Sequence, residues 1–229
     1  MPTSDPALTA ASMAEVLQIR AAQTPDALAF CFLIDGEEEG PRVTYGELDR
    51  AARAVAVTLR DIAAPSDRAI LLYAPGLEFV AAFFGCQYAG IVPVPAYPPR
   101  FDRPALGWQT LAGIATDCQP RVVLTGGAVA PFIVGGARPV PALAAARVVV
   151  TDDIDLSAAG RYHPSPTDPD ALALLQYTSG STAAPKGVMV PHLSLMHNER
   201  LIHTAFEHDG PGMGVCWLPP YHDMGLIGG

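Results

Sequence analysis

The residues with the most chemical potential lie together in one run, Thr178-Ser179-Gly180-Ser181-Thr182-Ala183-Ala184-Pro185-Lys186-Gly187. Four hydroxyls (Thr178, Ser179, Ser181 and Thr182) can donate hydrogen bonds, while Gly180 and Gly187 let a backbone approach an anion closely and present N–H donors. Lys186 adds a mobile point charge. This is the donor set that a polyphosphate site requires. The chain has thirteen arginines and a single lysine, and that lysine is Lys186. A GC-rich genome accounts for the scarcity of lysine but not for where the remaining one sits. On the residues alone, an ordinary Ser/Gly/Pro-rich turn stays open as the alternative. The run is not a Walker A loop, because Lys186 lies between Pro185 and Gly187 and no hydroxyl follows it. No GxGxxG occurs, and the pairs Gly126-Gly127 and Gly135-Gly136 read as turns.

A second candidate is Tyr221-His222-Asp223-Met224. Metal-dependent phosphohydrolases use an adjacent His-Asp pair, but they need further ligands at helical spacing. His163, His192, His197, His203 and His208 supply no HExxH or similar pattern, so no metal site is expected. The structural alternative is a helix cap, with His222 or Asp223 starting a helix, and it is compatible with a functional role. His192, His197 and His203 read as polar-face residues of one helix.

These candidates need elements to hold them. Ser12 with Glu15 and Thr44 with Glu47 are capping-box patterns opening two helices, the second continued by Leu48, Ala52, Val55 and Leu59. Between them, Ala27 to Ile34 reads as a strand, Asp35 to Pro41 as a turn and Arg42 to Tyr45 as the return of a hairpin. Alternation follows: strand at Ala69 to Ala74, helix at Gly76 to Ala89, extended Ile91 to Ala96, helix at Ala105 to Asp117. Strands come at Arg121 to Thr125 and Arg147 to Thr151, with one short helix expected between them. Apolar strands alternating with helices predict an α/β fold of layered, largely parallel sheets flanked by helices. Ser157 to Asp170, rich in Pro and Asp, reads as a surface loop or subdomain break. A buried strand, Ala171 to Tyr177, would present the hydroxyl run at its carboxyl end, where open α/β sheets bind ligands. A short strand at Val188 to Val190, a helix from about His192 to Phe206 and a strand at Gly214 to Leu218 complete the prediction.

The run Tyr177 to Gly187, YTSGSTAAPKG, resembles the phosphate-binding signature of the adenylate-forming (AMP-binding) superfamily, with Ala at position 183 where Gly is usual. Two further stretches, Pro93-Val94-Pro95-Ala96-Tyr97-Pro98-Pro99 and Trp217 to Gly229, resemble fatty acyl-AMP ligases. The resemblance implies ATP-dependent activation of a fatty acid to an acyl-adenylate, with release of pyrophosphate and transfer to an acyl carrier protein of a polyketide or peptide synthase. It implies that Thr178, Ser179, Gly180, Ser181, Thr182, Lys186 and Gly187 cradle the β- and γ-phosphates of ATP, with Mg2+ on the phosphates. Tyr221, His222, Asp223 and Met224 would line the place where the carboxylate meets the α-phosphate, with His222 as the catalytic candidate. An acyl- or aryl-CoA synthetase, with CoA as acceptor, is the alternative inside the same chemistry. A remnant that only binds nucleotide or a protein partner is the alternative outside it.

Composition sets the outer limits. A length of 229 residues allows a sizeable core, and 50% apolar against 16% charged residues argues against disorder. A net charge of −9 argues against nucleic-acid binding. The cysteines Cys31, Cys86, Cys118 and Cys216 form no CxxC pair, which points to a reducing, cytoplasmic setting. Phe79 to Ala96 is too interrupted to span a bilayer. The later elements of the superfamily and its C-terminal lid domain are not found, so residues 1–229 are expected to be an incomplete N-terminal portion of an AMP-binding domain, inactive alone. If the phosphate assignment is right, Lys186→Ala weakens ATP binding by about 1.5–3 kcal/mol, the range for charged hydrogen bonds. Calorimetric titration checks this, and an unchanged affinity refutes the assignment.

Overall fold

The computed structural model describes residues 5–98, 104–134, 140–178, 185–207 and 212–228. Its centre is a four-stranded, fully parallel sheet built from β3 (Arg68–Leu72), β4 (Val92–Pro95), β5 (Val122–Thr125) and β6 (Arg147–Val150), in the order β4-β3-β5-β6. Side chains alternate across a strand, so each of these apolar runs feeds two cores at once. Ala69 and Leu71 of β3, with Val122 and Leu124 of β5, face α1 (Met13–Gln23), α2 (Tyr45–Arg60) and α3 (Leu77–Ala89). Ile70, Leu72 and Val123 face the opposite layer, α4 (Pro104–Cys118), α5 (Ala130–Val134) and α6 (Pro141–Ala144). The layered α/β architecture expected from the sequence is the one found.

Local signals place the helix starts. Thr44 Oγ1 accepts from Glu47 N at 3.2 Å and Glu47 Oε2 accepts from Thr44 N at 2.9 Å, a complete capping box for α2. At α1, Ser12 Oγ accepts from Glu15 N, but Glu15 reaches past Ser12 to the Ala11 N–H at 2.7 Å, so only half of the box forms. Leu48, Ala52, Val55 and Leu59 are all buried along α2.

Several expectations need correction. The hairpin of β1 (Leu28–Ile34) and β2 (Glu38–Thr44) turns through Asp35, Gly36 and Glu37 alone, with Asp35 and Gly36 at φ 52° and 78°. Strand β2 therefore starts at Glu38, with Glu38 opposite Ile34 and Glu39 opposite Leu33, and these polar side chains suit an exposed ribbon. Two short helices, not one, lie between β5 and β6. Gly214 to Leu218 forms no strand, since no neighbour among the described residues offers it a ladder; Val215 and Trp217 stand 74% and 87% exposed. Finally, His192 is not a polar-face residue. It opens α7 (His192–Ala205) almost fully buried, its Nδ1 has no hydrogen-bond partner among the described residues and burial pushes its pKa down. His197 is exposed, as expected.

The segment after β6 is tied down by a buried polar cluster. It forms a 3-10 turn over Leu156–Arg161, and Tyr162 then stacks on Tyr88 of α3 at 5.1 Å between centroids. Tyr88 donates to Asp49 Oδ1 at 2.7 Å, and Arg53 Nε lies 2.7 Å from Asp49 Oδ2, though not aligned for a hydrogen bond. Arg60 bridges the layers by donating to the carbonyls of Tyr88 and His163, both at 2.7 Å. Burial, with the Asp49 carboxylate beside it, pushes the Tyr88 phenol far above its ordinary pKa, so it remains a donor. Among the described residues, no helix is long and apolar enough to cross a membrane. Tyr88→Phe should leave a buried Asp49 oxygen short of a donor and cost about 1–3 kcal/mol, read as a lower urea midpoint at unchanged m-value.

Candidate functional site

The hydroxyl run does not extend from the parallel sheet. It closes an antiparallel pair, β7 (Leu172–Thr178) and β8 (Lys186–Pro191), and this corrects the expectation of a parallel-sheet strand end. The pairing brings Thr178 opposite Lys186 and Tyr177 opposite Gly187. The first hydroxyl and the only lysine of the chain thus meet across one ladder position, with the rest of the loop between them. Both are exposed, and the Lys186 ammonium pairs with no carboxylate among the described residues. Ser179, Gly180, Ser181 and Thr182 lie outside the described residues.

Two close approaches fasten the loop's ends. The Tyr177 ring lies across Gly187, where an added Cβ would sit 2.9 Å from Cζ. Pro185 packs on Gly113 of α4 in the same way, its Cδ and Cγ each 2.8 Å from where a Cβ would stand. The Tyr177 hydroxyl also donates to Asp117 Oδ2 at the far end of α4. Burial, and then that bond, pushes the Tyr177 pKa up, so the phenol stays protonated. Helix α4 therefore grips the hairpin at both strands.

The second candidate cluster sits on the turn leading into α8 (Asp223–Leu226). His222 is its N-cap, as the structural alternative anticipated. His222 Nδ1 lies 2.6 Å from Asp223 Oδ1, and the Met224 N–H lies 2.9 Å from that same oxygen but 3.3 Å from Nδ1. The Met224 N–H thus donates to both the Asp223 carboxylate and His222 Nδ1, and the latter contact makes His222 the side-chain cap. Met224 is 56% exposed.

Two residues join this turn to the rest. Gln176 Nε2 donates to the Tyr221 carbonyl at 3.0 Å, and the Tyr221 ring meets Tyr97, just beyond β4, at 3.8 Å between centroids. Gln176 and Thr178 share a face of β7 about 7 Å apart. The structure thus brings Thr178, Lys186, Gly187, Tyr221 and His222 to the carboxyl ends of β4 and β7. The sequence reading missed Gln176, Asp117 and Gly113 as part of this arrangement. Only Gln176 carried a signal, as a lone amide in an otherwise apolar strand. Among the described residues, no group of three or more His, Cys, Asp or Glu side chains could hold a metal. A cavity of about 770 Å³ runs along β6, lined by Ile62, Arg147, Val149, Ile154 and Arg161, and none of the candidate residues lines it.

The AMP-binding enzyme family model matches residues 17–229, and the chain belongs to that family. It is 36% identical over 219 residues to the medium-chain-fatty-acid–[acyl-carrier-protein] ligase JamA of Moorena producens, covering 95% of this chain and 37% of that protein. It is also 36% identical over 206 residues to the long-chain-fatty-acid–AMP ligase FadD32 of Mycolicibacterium smegmatis, covering 88% of this chain and 32% of that protein. The crystal structure of a fatty acid AMP ligase from Legionella pneumophila matches all of this chain and 38% of its own, with 35% identity and a TM-score of 0.86. The fold and family resemblance read from YTSGSTAAPKG is therefore correct, for the N-terminal part of such enzymes. The chain spans little more than a third of the relatives it matches.

Gly187→Ala would drive a methyl into the Tyr177 ring and strain its bond to Asp117. A loss of about 1–3 kcal/mol in chemical denaturation is expected, and the double variant with Tyr177→Ala should lose less than the sum of the two single changes.

Proposed function

We propose that this chain carries the phosphate-binding and carboxylate-binding portion of a fatty acyl-AMP ligase. The observation that carries the reading is the Thr178–Lys186 pair at the end of a hairpin whose strand β7 is bonded, through Gln176, to the turn that His222 caps. In the proposed reaction a fatty carboxylate oxygen attacks the α-phosphorus of ATP in line. The new carbon–oxygen–phosphorus linkage forms as the bond to the β-phosphate oxygen breaks, and pyrophosphate leaves. No protein nucleophile is needed, so positioning and charge neutralisation are the protein's contribution.

Residue roles follow from that chemistry. Thr178, Ser179, Gly180, Ser181, Thr182 and Gly187 supply hydroxyl and backbone donors to the β- and γ-phosphates. Lys186 supplies the charge that accompanies the departing pyrophosphate. His222, with the Asp223 carboxylate beside its Nδ1, presents its ring where the carboxylate meets the α-phosphate, flanked by Tyr221 and Met224. Mg2+ is expected on the ATP phosphates.

The acyl group is proposed to pass to an acyl carrier protein, supported by the likeness to the carrier-protein ligase of Moorena producens. Coenzyme A is the second reading, supported by 33% identity to a relative from Mycobacterium bovis named as a putative fatty-acid–CoA ligase. The two share the adenylation half-reaction and differ only in acceptor. A cytoplasmic, reducing setting belongs to the same reading and is supported by the free thiols of Cys31, Cys86, Cys118 and Cys216.

ATP–pyrophosphate exchange tests the proposal. The full-length protein should exchange only when a fatty acid such as lauric acid is present, and Lys186→Ala should lower the rate at least about tenfold. The 229-residue chain alone should not exchange. Exchange by the full-length protein without any carboxylic acid would refute the assignment of substrate.

A further inference from the structure

Strand β7 is fully apolar through Ala173, Leu174 and Leu175, and then places an amide at Gln176, only 6% exposed. A buried amide is costly unless both its ends find partners. Gln176 meets half of that demand. Its Nε2 donates to the Tyr221 carbonyl, while its buried Oε1 has no hydrogen-bond partner among the described residues. An apolar side chain of similar volume would fill the same place without the penalty, so packing does not account for the amide. What the amide does is connect two segments 45 residues apart, the strand that ends in Thr178 and the turn that His222 caps. The Tyr97–Tyr221 ring contact, tilted at 45°, bears on the same turn through a side chain. A hydrogen bond to its main chain fixes one atom of it.

We propose that Gln176 is a positioning residue whose amide sets the spacing between the phosphate loop and the His222 turn, so that the attacking carboxylate and the departing pyrophosphate lie in line. The proposal rests on the acyl-adenylate reading of the site. Gln176 touches neither substrate and acts through the Tyr221 carbonyl.

The test uses the full-length protein. Gln176→Leu keeps the volume and removes the donor. Fatty-acid-dependent pyrophosphate release should fall about tenfold or more in kcat with the KM for ATP unchanged, because small misplacements of reacting groups cost that much. Gln176→Glu has a donor only while its carboxyl is protonated. Its activity relative to wild type should therefore climb as the pH is lowered, while that of Gln176→Leu stays flat. Hydrogen exchange gives a readout independent of catalysis: Gln176→Leu should speed exchange across residues 217–226 and leave α2 and α3 protected. Wild-type kcat in Gln176→Leu, or unchanged exchange across 217–226, overturns the proposal. If exchange also rises throughout α2 and α3, the leucine has disturbed folding, and the pH series of Gln176→Glu decides: a rise toward low pH supports the role and a flat profile overturns it. A wild-type protein with no fatty-acid-dependent release, in which exchange still responds to Gln176→Leu, overturns the acyl-adenylate reading and the positioning role with it. That pattern is distinct from an active wild type that is indifferent to the substitution.

Discussion

A hairpin can bring a polar loop to one place only if its two strands keep their register. Here the ladder runs from Leu172 opposite Pro191 to Thr178 opposite Lys186. A slip by one residue would turn Lys186 to the other face of the ribbon and carry the loop's charge away from Thr178. Side-chain size guards against that slip. The Tyr177 ring occupies the space above Gly187, and the flanking positions, Lys186 and Val188, both carry the Cβ that this space excludes. One aromatic ring over one missing side chain thus fixes where the ammonium of Lys186 can be.

That register would be of little use if the hairpin floated free of the core. Helix α4 anchors it, with Leu111, Ile114, Ala115 and Cys118 buried among Ile70, Leu72 and Val123 of the parallel sheet. The same helix holds Pro185 at Gly113 and the Tyr177 hydroxyl at Asp117. Rigidity built by ordinary hydrophobic burial is in this way handed to Tyr177 and Pro185. The overall charge of −9 does not oppose a polyanion at such a site. A donor acts at contact distance, whereas salt screens a diffuse net charge over a Debye length of about 8 Å.

The central sheet and most helices were legible because their signals are local. Apolar runs such as Ala69 to Leu72 and the Thr44–Glu47 box declare themselves within a few residues. The run Thr178 to Gly187 stood out for the same reason, since its hydroxyls, glycines and lysine are contiguous. What could not be read was relational. That Thr178 faces Lys186 across an antiparallel ladder depends on pairing, and the run itself is compatible with either a hairpin or a strand-to-helix turn. Asp117 lies 60 residues before its partner Tyr177, and nothing near either residue announces the other. Gly214 to Leu218 shows the opposite failure: alternating apolar residues describe a willingness to be a strand, and a strand exists only where a neighbour completes it. His192 was misjudged because a histidine at a helix start looks exposed until the Ala171 carbonyl, which accepts from its backbone N–H at 3.0 Å, is seen to draw it inward.

The position of Lys186 also matters at the bench. Most proteins scatter amines over their surface, and reagents that acylate amines give mixtures. Here the side-chain amine is unique and exposed, and it stands beside the loop proposed to grip the nucleotide. The 229-residue chain is therefore already a single-address substrate for chemistry directed at side-chain amines. A fluorophore or cross-linker attached through that address would report from the Thr178–Lys186 end of the hairpin without any engineered cysteine.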